Sequence, residues 1–322
     1  MSCTVEAMGV QSRHRRRSSA LLRWGAALGC VGMLGVAITA GTPEAAPVAQ
    51  QLPLGRTGEE RVVVFGNSVA ASLAQGLRSM AWQHSALAEV VQDTTAGIAS
   101  YADTALFDWR STYSKIVDDF DPQVAVLYPS LSTFSGCDWL LSGSDKLACV
   151  EHARAHGIFP VVDDMLEFFT DRGVVVIWMG YLARASVTGP PVHVGEARRT
   201  NEALDDLNTA IAARVESAGH VFIDPGDVFG DSYQAFYRDG DGWRQWRYTS
   251  DWVHLCPRGV AKLLELVHPV LFSESRFDAD SPHFNQGWDS DLGERPDGQG
   301  PRCSTDVFDT PPDEAVFGAP VQ

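Results

Sequence analysis

Short runs of β-branched and aromatic residues alternate along this chain with stretches whose apolar positions recur at helical spacing. The first run, Val62-Val63-Val64-Phe65, ends at Gly66 and reads as a buried strand, since four consecutive apolar residues leave no face for water. Residues 69–82 follow as a helix with Val69, Leu73 and Leu77 on one face. Further strands are expected at Val90-Val91, Val124–Leu127, Val174–Trp178 and Val221–Ile223. Helical patterns fall between them, at about 102–119, 160–172 and 196–218, the last with Leu204, Leu207 and Ile211 at helical spacing. Strands alternating with helices predict βαβ units, here an α/β/α three-layer domain over 61–272 built on a five-stranded parallel sheet. No internal repeat is visible.

Four segments stand outside this alternation. Residues 224–250 contain Tyr237-Arg-Asp-Gly-Asp-Gly-Trp243, which reads as a hairpin tip with Asp-Gly turn chemistry. Asp239 and Asp241 lack the remaining ligand positions of a calcium loop, so a bare turn is the expectation. Residues 273–322 are rich in Asp, Pro and Gly and read as an acidic extended tail. Residues 41–60 form a Pro/Ala/Gln linker without periodicity. The first forty residues read as a targeting segment: a basic run at Arg13, Arg15, Arg16 and Arg17, an uncharged stretch from Trp24 to Ala40, and a small-residue exit at Ala40–Gly41. The stretch is slightly long for a cleaved signal and slightly short for a comfortable membrane span, so signal peptide and N-terminal anchor both stay open. Either reading makes the protein secreted or cell-envelope.

Charge sharpens the picture. The 322 residues carry 25 Lys+Arg against 41 Asp+Glu, a formal charge of -16. Without residues 1–40 the balance is 20 basic against 40 acidic, or -20. A field of that sign repels a polyphosphate backbone, so no nucleic-acid partner is expected. Four cysteines remain beyond the targeting segment, Cys137, Cys149, Cys256 and Cys303. In an exported chain this even set suggests two disulfides, with three possible pairings. The favoured one joins Cys137 to Cys149 across a short loop and leaves Cys256 to pin Cys303 in the tail. With no Cys-x-x-Cys and no His pair, a zinc site is not expected.

In an open α/β sheet, ligands bind beyond the carboxyl ends of the strands. After the first strand comes Gly66-Asn67-Ser68, neither a dinucleotide loop nor a G-x-S-x-G elbow. Ser68 either caps the following helix or serves as a nucleophile beside backbone N–H groups able to hold an oxyanion. The stretch Asp251-Trp252-Val253-His254, before the last helix, decides for the second. A histidine that takes a serine proton through one ring nitrogen needs an acceptor on the other, and Asp251 stands three residues upstream.

These residues together resemble the SGNH/GDSL hydrolase family, extracellular members especially. The family's Gly-Asp-Ser block is matched by Gly66-Asn67-Ser68, and its Asp-x-x-His-(Leu/Phe)-x-x-x-Gly block by Asp251, His254, Leu255 and Gly259. The strand order and the hairpin before the last block are similar to those of SGNH domains linked to membrane O-acyltransferases. The resemblance covers about 61–272 and implies a flavodoxin-like fold, a Ser68–His254–Asp251 triad, an oxyanion hole from the Ser68 and Gly97 N–H groups, and no cofactor or metal. Asn67 replaces the usual Asp. The third block, usually an Asn after strand three, is here Tyr128-Pro129-Ser130-Leu131-Ser132-Thr133, leaving Ser130, Ser132 or Thr133 as hydroxyl donors.

The function expected is an exported serine esterase, or O-acyl hydrolase, acting on acyl esters of a cell-surface glycan or lipid. Trp139, Tyr181 and Trp252 are candidates to line its site, although aromatic residues beside a site often only pack. The alternatives are an O-acyltransferase and a catalytically weak SGNH-like module that binds a surface carbohydrate or protein. A glycosidase using Asp163, Asp164 or Asp227 ranks below these, because an acidic chain offers many such carboxylates.

Overall fold

A computed structural model describes residues 60–81, 87–93, 108–129, 150–151, 154–155, 157–182, 194–230, 235–240, 242–247, 254–271 and 303–310. In chain order the elements are β1 (Glu60–Gly66), α1 (Ser68–Ala81), β2 (Leu87–Asp93), α2 (Trp109–Phe120), β3 (Val124–Tyr128), α3 (Ile158–Thr170), β4 (Val175–Met179), α4 (Val194–Ser217), β5 (Val221–Ile223), the single-turn α5 (Gly226–Phe229), β6 (Phe236–Asp239), β7 (Gly242–Gln245) and α6 (Pro257–Leu271). The apolar segments Val62–Phe65 and Val124–Tyr128 are buried throughout, as strands covered on both faces must be.

The main sheet runs β2-β1-β3-β4-β5, with every pairing parallel. Its order reverses at β1, so the crevice at the carboxyl ends of β1 and β3 is the switch point where α/β sheets bind ligands. Right-handed crossovers from such an order send α1 to one face and α2, α3 and α4 to the other. The packing agrees. Phe65 stacks on Tyr113 of α2 (ring centroids 3.8 Å) and meets Phe169 of α3 at 6.0 Å. Leu204, Leu207 and Ile211 of α4 are fully buried, as their helical spacing predicts. On the other face α1 packs against α6 at Gly76, where a Cβ would lie 2.6 Å from Val260 Cγ1 and 2.7 Å from Leu264 Cδ1. Each Val, Leu or Phe side chain so buried contributes about 1.5–3 kcal/mol relative to exposure.

The Asp-Gly hairpin is present as β6–β7, an antiparallel pair with Gly240 at φ +65°. Asp239 is more than a turn residue. Its carboxylate accepts from Arg258 Nε at 2.5 Å and lies 3.1 Å from Lys262 Nζ, which ties the hairpin to the first turns of α6. Burial works against its charge, but the bonds and charges of Arg258 and Lys262 hold Asp239 below the ordinary carboxylate range. Among the described residues, no group of His, Cys, Asp and Glu could hold a metal ion, and no helix is long and apolar enough to cross a membrane. The apolar stretch Trp24–Ala40 lies outside the described residues.

At the opposite rim from the switch point, the buried His220 bridges β5, β4 and α3. Val176 N–H donates to its Nδ1 at 3.3 Å, so that nitrogen must be unprotonated. Nε2–H then donates to Thr170 Oγ1 at 3.0 Å, and that hydroxyl donates to the Leu166 carbonyl at 2.7 Å. Burial lowers the His220 pKa below its ordinary 6.5, against a smaller opposing bond to the Leu166 backbone. A lowered folded value means that below pH 6.5 the unfolded chain takes up the proton first. Stability is therefore lost as the pH falls from 6.5 toward the folded value, and levels off beneath it. In urea titrations from pH 7.5 to 5, the stability advantage of the wild type over His220→Gln is expected to shrink through this window. A pH-independent difference would contradict the buried neutral imidazole.

Candidate functional site

The turn from β1 into α1 is fixed by steric contact. Gly66 has φ +147°, and a Cβ there would overlap the Tyr128 carbonyl, so β1 can approach β3 this closely only with glycine. Asn67 N–H extends the β1–β3 ladder by donating to Tyr128 O at 3.2 Å. The Asn67 side chain, buried against the turn, then caps α1: Oδ1 accepts from Val69 N at 2.8 Å and from Ala70 N at 3.4 Å. Asn67 is thus the cap that Ser68 was a candidate to be, and Ser68 becomes the first helical residue, with an exposed side chain. Four amides in a first turn lack intrahelical partners ahead of them. Here Asn67 N–H goes to Tyr128 O, Val69 and Ala70 go to Asn67 Oδ1, and Ala71 makes the first helical bond, to Asn67 O at 3.0 Å. Among the described residues the Ser68 N–H has no acceptor, and it stands at the positive end of α1 beside its own hydroxyl.

His254 is half-buried at the entry to α6. The chain on either side of 248–253 is drawn together by an antiparallel bridge between Arg247 and Leu255 and by Cys256 N–H donating to Trp246 O at 2.9 Å. Beneath this neck Tyr237 stacks on Trp246 (4.3 Å), Phe229 meets both edge-on, and the buried Arg247 guanidinium lies 5.4 Å over Phe229. Gly259, the last letter of the motif that includes His254, has a physical reason: a Cβ there would overlap the Trp246 carbonyl. The Cys256–Cys303 disulfide is formed, with Cα atoms 5.7 Å apart, two residues from His254.

Ser68 and His254 therefore head two helices that pack on each other at Gly76. Val260 and Leu264 lie six and ten residues after His254, and Gly76 lies eight after Ser68, about 12 Å along the helix. Asp251, Gly97, Ser130, Ser132 and Thr133 lie outside the described residues, as do Trp139, Trp252, Cys137 and Cys149. Tyr181 is a packing residue: it is buried, meets Tyr128 edge-on at 5.9 Å, and its backbone is gripped by Asn208, which accepts from Tyr181 N at 2.7 Å and donates to Tyr181 O at 2.9 Å. Two of the three carboxylates of the glycosidase reading are occupied on α3: Asp163 accepts from Arg214 at 2.6 and 2.8 Å, and Asp164 from Arg110. Reading the sequence did not single out Asn67 as the cap, Asp239 as an anchor, or Gln245. The first had a signal, since Asn is among the best N-cap residues.

Removing the cap oxygen leaves two buried amides without an acceptor. Asn67→Ala is expected to lower unfolding free energy by about 1–2 kcal/mol, while Asn67→Asp, which retains the oxygen, stays within about 0.5 kcal/mol of wild type. Denaturant titration of both variants measures this, and equal losses would remove the capping role.

No curated protein matches this chain. Solved structures similar to it include phospholipase A1 from Streptomyces albidoflavus (18% identity, TM-score 0.42, covering 67% of this chain and 99% of that one). An extracellular lipase from Streptomyces rimosus is 14% identical, with a TM-score of 0.43, over 66% of this chain and 97% of the other. The periplasmic domain of a lipopolysaccharide acetyltransferase from Salmonella ser. Paratyphi A is 14% identical, with a TM-score of 0.43, over 67% and 85%. A family model matches residues 61–270, nearly the whole region that carries the sheet, α1 and α6, and the chain belongs to that family, described as "Protein of unknown function (DUF459)".

Proposed function

We propose that this chain is an exported serine esterase, or a closely related O-acyltransferase, of SGNH type, acting on acyl esters of a cell-surface glycan or lipid. One observation carries the reading: Ser68 is exposed at the switch point of the sheet, on the first turn of α1, and its own N–H has no acceptor among the described residues. In the proposed reaction His254, oriented by Asp251, takes the Ser68 proton as Oγ attacks the ester carbonyl. The oxyanion rests on the N–H groups of Ser68 and Gly97. His254 then protonates the departing alkoxide, and water or a sugar hydroxyl takes the acyl group from the serine by the same route. The basic-then-apolar N-terminal segment and the Cys256–Cys303 disulfide support an oxidising location outside the cytoplasm. The surplus of acidic residues favours neutral or weakly charged substrates over acidic polymers.

A second reading has its own observation. Pro129, directly after β3, has no N–H, and residues 130–133 contain no Asn, so the usual third oxyanion donor is missing from its place. Loss of one such donor costs about 10²–10³ in turnover, which favours a slow enzyme or a module that only binds glycan.

The two readings part experimentally. The esterase is expected to take up a fluorophosphonate at Ser68 and to cleave short p-nitrophenyl esters. Ser68→Ala should abolish the labelling, and both Ser68→Ala and His254→Ala should lower turnover by about 10³-fold or more. No label and no cleavage by the wild type, with equal glycan binding by wild type and Ser68→Ala, would establish the binding module instead.

A further inference from the structure

Residues 303–310 lie as a strap along the hairpin. Trp243 N–H donates to Phe308 O at 2.8 Å, Phe308 N–H returns a bond to Trp243 O at 2.9 Å, and the Phe308 ring meets Phe236 edge-on. The strap's first residue, Cys303, is bonded to Cys256 across 47 positions of sequence, and both cysteines are buried. Beside this link, the buried Gln245 amide joins the strap to the neck below His254. Its Oε1 accepts from Ser304 N–H at 2.8 Å, and its Nε2 donates to Arg247 O at 2.7 Å. A backbone N–H on one side and a backbone carbonyl on the other allow only one orientation of the amide. Arg247 in turn bridges Leu255, the residue after His254. Two independent connections, one covalent and one through hydrogen bonds, therefore run from the C-terminal strap to the residues adjoining His254.

A staple that served folding alone would need no particular attachment point. We infer that the strap is a positioning device for His254: Gln245 and the Cys256–Cys303 bridge hold the turn before α6, so that the imidazole meets Ser68 in a reactive geometry. The C-terminal segment is then part of the catalytic unit. This rests on the esterase reading above. Gln245 and the two cysteines act through His254 and touch no substrate.

Two variants test it: Cys256→Ala/Cys303→Ala, which opens the covalent link, and Gln245→Met, which keeps the side-chain volume and removes both hydrogen bonds. Assays with a p-nitrophenyl ester, on protein whose folded fraction is measured by circular dichroism, should show kcat lower by about tenfold or more with KM within about twofold of wild type, because small displacements of a catalytic group act on the chemical step. A purely structural role lowers the melting temperature and leaves kcat of the folded fraction unchanged, and that result in both variants overturns the inference. If the double cysteine variant does not fold, Gln245→Met decides alone. If Gln245→Met also fails to fold, the strap serves folding and the inference falls. Wild-type protein that takes no label at Ser68 ends the esterase reading itself; wild-type protein that reacts, with both variants at its kcat, ends only the positioning role.

Discussion

Between the end of β1 and the carbonyl of Tyr128 there is no space for a side chain, and the arrangement of the sheet's ligand-binding rim follows from that contact. Gly66 satisfies it, and the backbone that glycine permits carries Asn67 N–H onto Tyr128 O, locking the turn to β3. Asn67 then has its side chain over the first turn of α1 and consumes the Val69 and Ala70 amides. The helix therefore starts at Ser68, whose amide has no acceptor among the described residues. Had Ser68 been the cap, its hydroxyl would have been turned back onto its own helix and removed from the crevice. The same oxygen cannot both cap α1 and attack a carbonyl, and with Asn67 as the cap Ser68 is not needed for the first role.

Much of this architecture was legible because it rests on local rules. Consecutive β-branched and aromatic residues locate β1, β3 and β4, since only a doubly covered strand tolerates an unbroken apolar run, and Leu204, Leu207 and Ile211 locate the inner face of α4. The Cys256–Cys303 pairing was the favoured one on loop size. Three features escaped. The length of β2 did, because its backbone pairs along Leu87–Asp93 while only Val90-Val91 advertise a strand. The one-turn α5 did, because Asp224 Oδ1 accepting from Gly226 N–H defines a turn too short for periodicity. The role of Asp239 did, because its partners Arg258 and Lys262 are 19 and 23 residues away and nothing in a hairpin tip announces them. Of the candidate site, the types of residue and their order were legible, whereas the division of labour between Asn67 and Ser68 depends on φ at Gly66, which spacing does not reveal.

The carboxylates divide by environment. On the outer face of the domain Asp163, Asp164 and Asp121 meet Arg214, Arg110 and Arg61 in exposed pairs that contribute little stability, on the order of 0–1 kcal/mol each. Asp239 differs in being only 11% exposed, with two cations on it. Burying that carboxylate costs free energy, which those partners offset, so the pair is better understood as fixing where the hairpin meets α6 than as a source of stability. Its location, at the first turns of the helix that follows His254, places that fixation beside the residue whose orientation the esterase proposal depends on.

In the proposed esterase the segment after β3 bears on the rate, because residues 129–133 contain no Asn. Pro129, directly after the strand, has no backbone hydrogen to give. A hydroxyl donor, as proposed for Ser130 or Ser132, rotates about its C–O bond, whereas an Asn amide held by its neighbours is already aimed. Preorganisation is what makes such donors effective, because a group that must be oriented during the reaction spends part of its interaction on being ordered. The chemistry proposed for Ser68 therefore leans on the two backbone amides more heavily than it would with an Asn in place. In that proposal the turn at Gly66 carries both roles of Ser68, because it sets Asn67 as the cap and leaves the Ser68 amide without an acceptor among the described residues.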